Sequence, residues 1–591
     1  MSETLYKELI TKTFRDNAIR SVVMIDDEYL RYDELLDQLE NGQTDMASSR
    51  MSITKKASNL HSFFRKEKKI SCDIDNGVGF IDPDKIRKSD LVILDYELEK
   101  NDPSKSIQLI GQLQKNDHMN LVVLYTRAEP NNVWLRLASS LRDTRSLDEI
   151  SISQKIDFKK LETDWLEVTD FTDEPPAEWS NWIIDEDLPK YVLTGDLSEA
   201  TRKKFDDVYK DNGKPFRHYA IEKQLKNQNK QISSPAPHGF AVRGSSGFVK
   251  WIQSGNVFVV IHSKSNVDNP QEPQELWNAL TAGLEDWNPS YYQLLLSEMQ
   301  NLLENESLSF DPNFTSNIEG HAAWLSKILE ASDSDQRAGL SIQLIHQLVE
   351  DLKIKLSNKT DLQDFQSKSI SALSNIKNSK EGYSFEKFSA LHVKMDVADN
   401  DFDQRMLHAL NSNLCSNFFT GKYVTSGTLL MEAADLSDDR KWYLCVSPAC
   451  DTVPLQVKGK LAKRLAPDRF LKLLVLTKTD LKPALKKATS GRNIFITTDC
   501  KERLAFEVQN SQNTPEIEYA LIHEHNSPQT AIQKDGVVVS FLQRDSTGAS
   551  HLNKTRLIPI SQLRDSYTAR YQTVASHHQG RVGVDYFDLK N

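Results

Sequence analysis

Cysteine and long apolar runs are both scarce in this sequence. Only five cysteines are scattered over 591 residues, and so small and odd a set is typical of a reducing compartment and argues against a disulfide framework. No apolar stretch approaches the length needed to cross a bilayer, and Met1–Thr4 lacks the basic and apolar character of a signal peptide. These absences predict a cytoplasmic protein without a membrane segment.

Glycine-rich phosphate loops are also missing. The sequence contains neither G-x-x-x-x-G-K-[ST] nor a convincing G-x-G-x-x-G, and we interpret Arg243–Gly247 as a flexible turn. The chain therefore has no recognisable kinase nucleotide site, so any phosphate must come from another protein or from a small phosphodonor. Four scattered histidines lack metal-ligand spacing and are expected to be surface histidines or ones with satisfied hydrogen bonds: His321, His346, His392 and His408.

Size and charge limit the remaining classes. A chain of 591 residues is too long for one hydrophobic core, which predicts three or more domains. Hydrophobic residues make up 39% and charged residues 27%, as in ordinary globular proteins. The net charge of −11 argues against general binding of polyanions by the whole molecule.

Four apolar runs, each the length of a buried strand, end in polar residues. The runs are Ser21–Ile25 before Asp26 and Asp27, Leu91–Leu94 before Asp95, Leu121–Tyr125 before Thr126, and Val257–Ile261 before His262, Ser263 and Lys264. Ligands of open α/β sheets bind at the carboxyl ends of the strands. We therefore expect these side chains to meet at one edge of a parallel sheet.

Such a set of side chains suits phosphoryl transfer. Two or three carboxylates with water form an oxygen site for Mg²⁺, and one carboxylate beside the metal can attack a phosphoryl group. The pattern resembles the receiver domain of two-component response regulators. That resemblance implies Asp95 as phosphoacceptor, Asp26, Asp27 and Asp95 as the Mg²⁺ ligands, Thr126 as the switch hydroxyl and Lys264 as the phosphate partner.

The sequence departs from a compact receiver in two ways. Thr126 and Lys264 are 138 positions apart, so a large insertion must separate strands 4 and 5. In addition, Ser265 replaces the usual proline after the lysine, and Ile261 stands where receivers often have an aromatic switch residue.

The predicted fold is α/β. It consists of a flavodoxin-like receiver with a five-stranded parallel sheet and a large insertion, then a helical region and a β-rich α+β carboxy-terminal domain. The predicted boundaries are 1–136 for receiver strands 1 to 4, 137–239 for an acidic, mixed or helical insertion, 240–289 for strand 5 and the last receiver helix, 290–420 for the helical region, and 421–591 for the β-rich domain.

Two regions have a strong charge bias. Residues 143–187 contain 14 acidic and 4 basic residues, and residues 456–493 contain 11 basic and 2 acidic residues. The acidic region is interpreted as a solvated face or as a surface for a basic partner. The basic region is interpreted as a solvated face or as an interface for nucleic acid or an acidic partner.

A second candidate site lies in the carboxy-terminal domain. In Ser447-Pro448-Ala449-Cys450-Asp451 a thiol and a carboxylate follow a strand on a tight turn. This arrangement suits either a structural turn or a nucleophilic or metal-binding thiol. An imidazole would then have to come from His523 and His525, or from His577 and His578.

The leading functional hypothesis is a response-regulator-like signalling protein, acting as a regulatory phosphoacceptor rather than as an enzyme. Its partner would be a histidine kinase or a GHKL-type ATPase, and its build resembles multidomain receivers of bacterial anti-phage operons. Two alternatives are a pseudoreceiver scaffold independent of phosphate, and an effector with a carboxy-terminal Cys/Asp/His or nucleic-acid-binding site.

Overall fold

The computed structural model divides the chain into two compact units, Met1–Glu381 and Gly382–Asn591. It describes residues 2–29, 48–77, 86, 88–98, 102–116, 119–142, 158–170, 172, 175–183, 186–208, 213–228, 240–265, 269–305, 318–331, 334–399, 401–421, 423–433, 440–452, 460–508, 514–523, 536–546 and 548–579. The sequence also predicts helices from Tyr29 to Leu39 and after Asp82, and a turn-rich junction at 233–239. These segments, with residues 456–459 of the basic region, lie wholly or largely outside the described ranges.

A seven-stranded sheet organises the first unit. Its strands are β1 (Ser21–Ile25), β2 (Ser71–Asp75), β3 (Leu91–Asp95), β4 (Asn120–Thr126), β5 (Val242–Ser245), β6 (Trp251–Ser254) and β7 (Val257–Ser263). The order is β2-β1-β3-β4-β7-β6-β5, with parallel pairing from β2 to β7 and antiparallel pairing from β7 to β5. The predicted five-stranded parallel sheet is confirmed, in the flavodoxin-like order 2-1-3-4-5.

The interpretation of Arg243–Gly247 as a flexible turn is wrong for its first three residues. Arg243 and Gly244 pair with Gln253 and Ile252 of β6. A Cβ on Gly244 would lie 2.7 Å from the Trp251 carbonyl oxygen and 3.1 Å from the Trp134 ring. Gly244 therefore lets the strand approach its neighbours closely. A glycine-rich sequence alone does not distinguish such a strand from a flexible turn.

Helices cover both faces of this sheet. The α-helices described in the first unit are α1 (Ser2–Thr11), α2 (Ser48–Ser62), α3 (Ser104–Leu113), α4 (Pro130–Leu141), α5 (Phe158–Val168), α6 (Asp187–Thr194), α7 (Glu199–Val208), α8 (Gly213–Gln228), α9 (Glu272–Trp287), α10 (Tyr291–Asn305), α11 (Ile318–Glu330), α12 (Ser334–Ser357) and α13 (Thr360–Ser379). Alternate residues of each central strand enter opposite cores, as in Val23 and Val92 on one face and Met24 and Ile93 on the other. This two-sided burial explains why the strands read as continuous apolar runs.

The helix from Thr360 to Ser379 packs against α1 despite its polar composition. Phe365 and Ala372 are buried in the same cluster as Tyr6 of α1 and Trp277 of α9. The polar segment is therefore part of the first unit.

The inserted residues between β4 and β5 form a small aromatic core. Trp165 and Trp179 are buried against Phe205, Phe216 and Tyr219, with the two tryptophan rings 5.9 Å apart in an edge-on arrangement. Such packing stabilises a helical subdomain through large apolar area.

The second unit has a β-rich core, as predicted. Its strands are β8 (Ser416–Phe418), β9 (Thr428–Glu432), β10 (Trp442–Cys445), β11 (Arg469–Thr479), β12 (Asn493–Thr497), β13 (Arg503–Glu507), β14 (Ile517–Ile522), β15 (Val537–Arg544) and β16 (Ser550–Leu563). Antiparallel pairing runs β10-β9-β16-β15-β14-β11, and a further β10–β11 pairing closes the ring into a barrel. The helices of this unit are α14 (Phe385–His392), α15 (Phe402–Cys415), α16 (Ala449–Thr452), α17 (Lys460–Leu465), α18 (Leu481–Lys486) and α19 (Asp565–Gln579).

Within the described residues, none of the helices combines the length and the apolar character needed to cross a bilayer.

Candidate functional site

The carboxyl ends of β1, β3, β4 and β7 bring four of the predicted side chains together. Asp26 follows β1, Asp95 ends β3, and Thr126 and Ser263 are register partners at the ends of β4 and β7. Lys264 follows Ser263, and its backbone N–H donates to the Thr126 carbonyl oxygen at 2.7 Å. Thr126 and Lys264 are 138 positions apart in the sequence. The parallel pairing of β4 with β7 nevertheless places Lys264 at the acidic edge of the sheet.

Lys264 bridges the two buried carboxylates. Its Nζ lies 2.9 Å from Asp26 Oδ2 and 2.9 Å from Asp95 Oδ1. The three side chains are 6–10% exposed, so these are buried, charge-assisted hydrogen bonds.

Asp27 completes a carboxylate cluster. One oxygen from each of Asp26, Asp27 and Asp95 lies within 4.8 Å of the others. Three carboxylates at this spacing form a hard oxygen donor set, which fits Mg²⁺ with water as the remaining ligands. These residues could therefore hold the metal predicted from the sequence.

Burial perturbs the acids of this cluster. The pKa of Asp95 is raised to about 6 mainly by desolvation, with Asp26 adding to the rise and Lys264 partly offsetting it. Desolvation and the neighbouring Asp26 and Glu28 also raise the pKa of Asp27. Burial acts to lower the pKa of Lys264, but Asp26 and Asp95 outweigh it, so that pKa is raised. The lysine therefore remains charged.

Thr126 is fully buried beside this cluster. Its hydroxyl oxygen accepts a hydrogen bond from the Ala128 backbone N–H at 2.9 Å. This bond holds the loop that leads from β4 into α4. A change in the rotamer of Thr126 would release that loop, so the residue links the acidic edge to the following helix.

A second layer that sequence reasoning missed lies behind Lys264. The phenol of Tyr125 hydrogen-bonds to the Glu272 carboxylate, and burial and Glu272 together raise the tyrosine pKa far above its usual value. The Ser265 N–H also donates to Glu272, at 2.7 Å, and the Lys264 ammonium lies 5.2 Å from the centre of the Tyr125 ring. The available signal was an aromatic residue directly before Thr126, but nothing in the sequence paired it with Glu272.

The structure describes only part of the predicted thiol site. Asp451 is exposed on α16, and its carbonyl oxygen accepts a hydrogen bond from Arg469 Nη1 at 2.8 Å. The side chain of Cys450 lies outside the described residues. A role for Cys450 and Asp451 stays a prediction.

The basic segment has mixed surroundings in its described part, 460–493. Most of its lysines are exposed on α17, β11 and α18, whereas Arg469 is 5% exposed. These positions suit a solvated face as well as an acidic or nucleic-acid partner, so the interface stays a prediction.

Comparison with known proteins identifies one region. Residues 18–170 match the family model described as a response receiver domain. The match covers β1 to β4 and ends before β7, so it includes Asp26, Asp27, Asp95 and Thr126 but not Lys264. Neither the curated proteins nor the solved structures gave a match. A receiver domain indicates response-regulator-like signalling.

Proposed function

We propose that this chain, which carries a response receiver domain in residues 18–170, is a phosphorylation-controlled signalling protein with Asp95 as its phosphoacceptor. The observation that carries the proposal is the buried contact of Lys264 with Asp95 and Asp26 at the carboxyl edge of the sheet. Such an edge combines a nucleophilic carboxylate with a cation that can meet a transferred phosphate.

The proposed transfer needs no nucleotide site in this chain. An oxygen of Asp95 attacks phosphorus, a bond to phosphorus breaks in a phosphohistidine or an acyl phosphate, and the released imidazole or carboxylate leaves. Asp26, Asp27 and Asp95 would hold Mg²⁺, which supplies neutralisation of charge on the phosphoryl oxygens. Lys264 would exchange its contact with Asp95 for one with the new phosphate, and the Thr126 hydroxyl would turn toward it.

The inserted subdomain is placed to read this change. A phosphate adds about two negative charges at the sheet edge, and α4 begins four residues after Thr126. At the end of α4, Arg142 Nη2 lies 2.5 Å from Glu222 Oε2 of α8, and Tyr191 of α6 donates to Glu222 at 3.0 Å. We propose that movement of the loop after β4 reaches the insertion through this buried contact, and that the helical and carboxy-terminal regions deliver the output.

Under this proposal the phosphate comes from a protein partner or from a small phosphodonor. A histidine kinase or a GHKL-type ATPase has the required chemistry, and a role in anti-phage defence follows from the resemblance to receivers in conflict operons. Plating of phage on cells that carry the wild-type chain or Asp95→Asn tests that role, with equal plaque counts arguing against it.

A pseudoreceiver scaffold is the second candidate, and one observation favours it. Lys264 lies 2.9 Å from both Asp26 and Asp95 and compensates their charge, and such a contact also suits a fixed structural role in a protein that is never phosphorylated. In that case Mg²⁺ and phosphodonors would leave the protein unchanged.

Acetyl phosphate with Mg²⁺ separates these candidates. We expect one added phosphoryl group by intact-protein mass spectrometry in the wild type and in Glu97→Gln, and none in Asp95→Asn. Glu97 is the matched control because it carries a carboxylate two residues away but lies outside the cluster formed by Asp26, Asp27 and Asp95. An unchanged wild-type mass, together with no thermal shift from beryllofluoride and Mg²⁺, would support the scaffold.

A further inference from the structure

The barrel of the second unit brings an acid, an imidazole and a hydroxyl into one hydrogen-bonded line. His523 Nδ1 lies 3.0 Å from Asp468 Oδ2, and His523 Nε2 lies 2.7 Å from Ser540 Oγ. In the sequence, His523 lies 55 residues after Asp468 and 17 residues before Ser540. We propose that Asp468, His523 and Ser540 form a nucleophilic triad, with Ser540 attacking a carboxylic ester that has an apolar acyl group. This proposal goes beyond receiver signalling and does not depend on it.

Strand register explains why the three side chains meet. Arg469 pairs with Ile522, and Leu521 pairs with Ser540, so Asp468 and His523 continue the β11–β14 ladder by one step. Ile522 and Val539 point into the barrel core, and their neighbours His523 and Ser540 therefore face outward. The line lies across three adjacent strands of a closed barrel, which is a rigid support for a site.

The hydrogen bonds define the role of each group. A neutral imidazole that donates from Nδ1 to the Asp468 carboxylate has its Nε2 lone pair free to accept from the Ser540 hydroxyl. This is the polarity that a serine nucleophile requires, with the histidine as base and the aspartate fixing its tautomer. Ser540 is 5% exposed, whereas the side chains of His523 and Asp468 are each 25% exposed. The base is thus open to solvent and the nucleophile is shielded.

The surroundings of Ser540 indicate the substrate class. Large apolar side chains are exposed on the same outer face: Phe470 (48%), Tyr519 (51%), Leu542 (70%) and Leu552 (59%). Leu521, the register partner of both Phe470 and Ser540, lies between them. An exposed apolar area next to a nucleophile suits an acyl chain rather than a charged substrate.

Lys554 can stabilise the developing charge. It is the register partner of Ser540 on β16 and is exposed. Side chains at directly opposed positions have Cβ atoms about 5 Å apart, so the flexible ammonium can reach an oxyanion formed at the serine.

The reaction balances with the ester and water alone. Ser540 Oγ forms a bond to the acyl carbon while its proton passes to His523 Nε2, and the ester C–O bond breaks as that proton goes to the leaving alcohol. Water then attacks the acyl-serine, again losing a proton to His523, and releases the carboxylic acid with the Ser540 hydroxyl restored.

Labelling of the full-length protein with a fluorophosphonate probe, followed by peptide mapping, tests the triad. We expect the label on Ser540 in the wild type and no label in Ser540→Ala. In His523→Gln the labelling reaction should be slower by a factor of about 100 or more. Ser561→Ala is the matched control, since Ser561 is also buried on the barrel but donates to the Asn417 carbonyl. It should label as the wild type does.

Hydrolysis of p-nitrophenyl esters tests the substrate class. The rate should rise from acetate to octanoate and fall in Leu542→Ser, while Ser561→Ala leaves it unchanged. Thermal unfolding of each variant identifies any that does not fold. The proposal is overturned if the folded wild type takes no probe, if Ser540→Ala labels equally well, or if ester hydrolysis does not depend on Ser540. The Asp–His–Ser line would then be a structural hydrogen-bond chain.

Discussion

At the residue scale, the charge balance among Asp26, Asp95 and Lys264 controls the pocket. One ammonium compensates two buried carboxylates, and Asp27 lies close by with a raised pKa. A buried cluster with excess negative charge favours a proton or a cation. Mg²⁺ and protons should therefore compete for the same edge.

Asp95→Asn should stabilise the protein at neutral pH. Because the folded pKa of Asp95, about 6, lies above the unfolded value of about 3.9, the stability that this group contributes is fully present below pH ~4 and is lost as pH rises through about 6. Asparagine removes that charge, so the free energy of unfolding should increase by on the order of 1–3 kcal/mol at pH 8.

Urea titrations of both proteins between pH 4 and pH 8 measure this effect. The difference should become small near pH 4, where Asp95 is neutral in the folded wild type and about half protonated in the unfolded chain. A variant that is less stable than the wild type at pH 8 would mean that the contact of Lys264 with Asp95 dominates over burial.

Mg²⁺ binding should weaken as pH falls through about 6, because Asp95 then takes up a proton. Isothermal titration calorimetry at pH 5 and pH 8 measures the dependence. Asp27→Asn should reduce affinity at both values, whereas Asp75→Asn, at the end of the neighbouring strand β2, should not. Equal loss in both variants would place the cation outside the predicted cluster.

The sequence identified the first layer of this site but not the second. Asp26, Asp95 and Thr126 each end an apolar run, so the run itself predicts their place at the sheet edge. The Tyr125–Glu272 hydrogen bond joins residues from separate elements, and no local pattern encodes their pairing. The sequence likewise suggests His523 only as a partner for a thiol, since nothing local links it to Asp468 and Ser540.

At the element scale, the insertion is held to the receiver through α4. Arg142 and Glu222 form an ion pair with side chains that are only 11–12% exposed, and the Arg142 guanidinium lies 5.6 Å from the centre of the Tyr191 ring. Trp134 Nε1 also donates to the Trp251 carbonyl oxygen at 3.0 Å. These contacts connect the helix after Thr126 to both the inserted helices and the β5–β6 hairpin.

Glu222→Gln should destabilise the first unit by roughly 1–3 kcal/mol, because it leaves the largely buried Arg142 without its anionic partner. Chemical denaturation measures the loss. Glu199→Gln provides the comparison, since Glu199 pairs with Lys203 on an exposed helix face where both side chains are more than 70% exposed. Its effect should stay below about 0.5 kcal/mol, and similar losses in the two variants would contradict the buried connection.

Element prediction succeeded where burial produced a strong pattern. The four apolar strands, α9 and the β-rich character of the second unit follow from runs of branched residues or helical spacing. The β5–β6 hairpin does not, because β5 contains Gly244 and Ser245 and is buried at only one of its four residues. Its strand conformation depends on tertiary packing against Trp134, and such packing cannot be predicted from the amino-acid composition of the segment.

At the scale of the whole molecule, each unit has hydrophobic clusters of its own. The receiver sheet, its helices and the aromatic subdomain supply those of Met1–Glu381, and the barrel with its flanking helices supplies those of Gly382–Asn591. Separate cores are able to unfold separately.

Calorimetry of the full chain should therefore resolve two unfolding transitions. Mg²⁺ binds only the native first unit in this account, so it should raise the temperature of one transition and leave the other unchanged. Asp95→Asn should remove most of that shift. A single transition that moves as a whole with Mg²⁺ would show that the units unfold as one.

Location of the acyl phosphate tests the central claim most directly. The full-length protein is incubated with acetyl phosphate and Mg²⁺, the product is trapped with borohydride, and peptides are sequenced by tandem mass spectrometry. The account predicts reduction of the aspartate to homoserine at Asp95 alone, dependent on Mg²⁺ and lost in Asp27→Asn. Modification at another residue, or none at Asp95 in a folded protein that binds Mg²⁺, would contradict it.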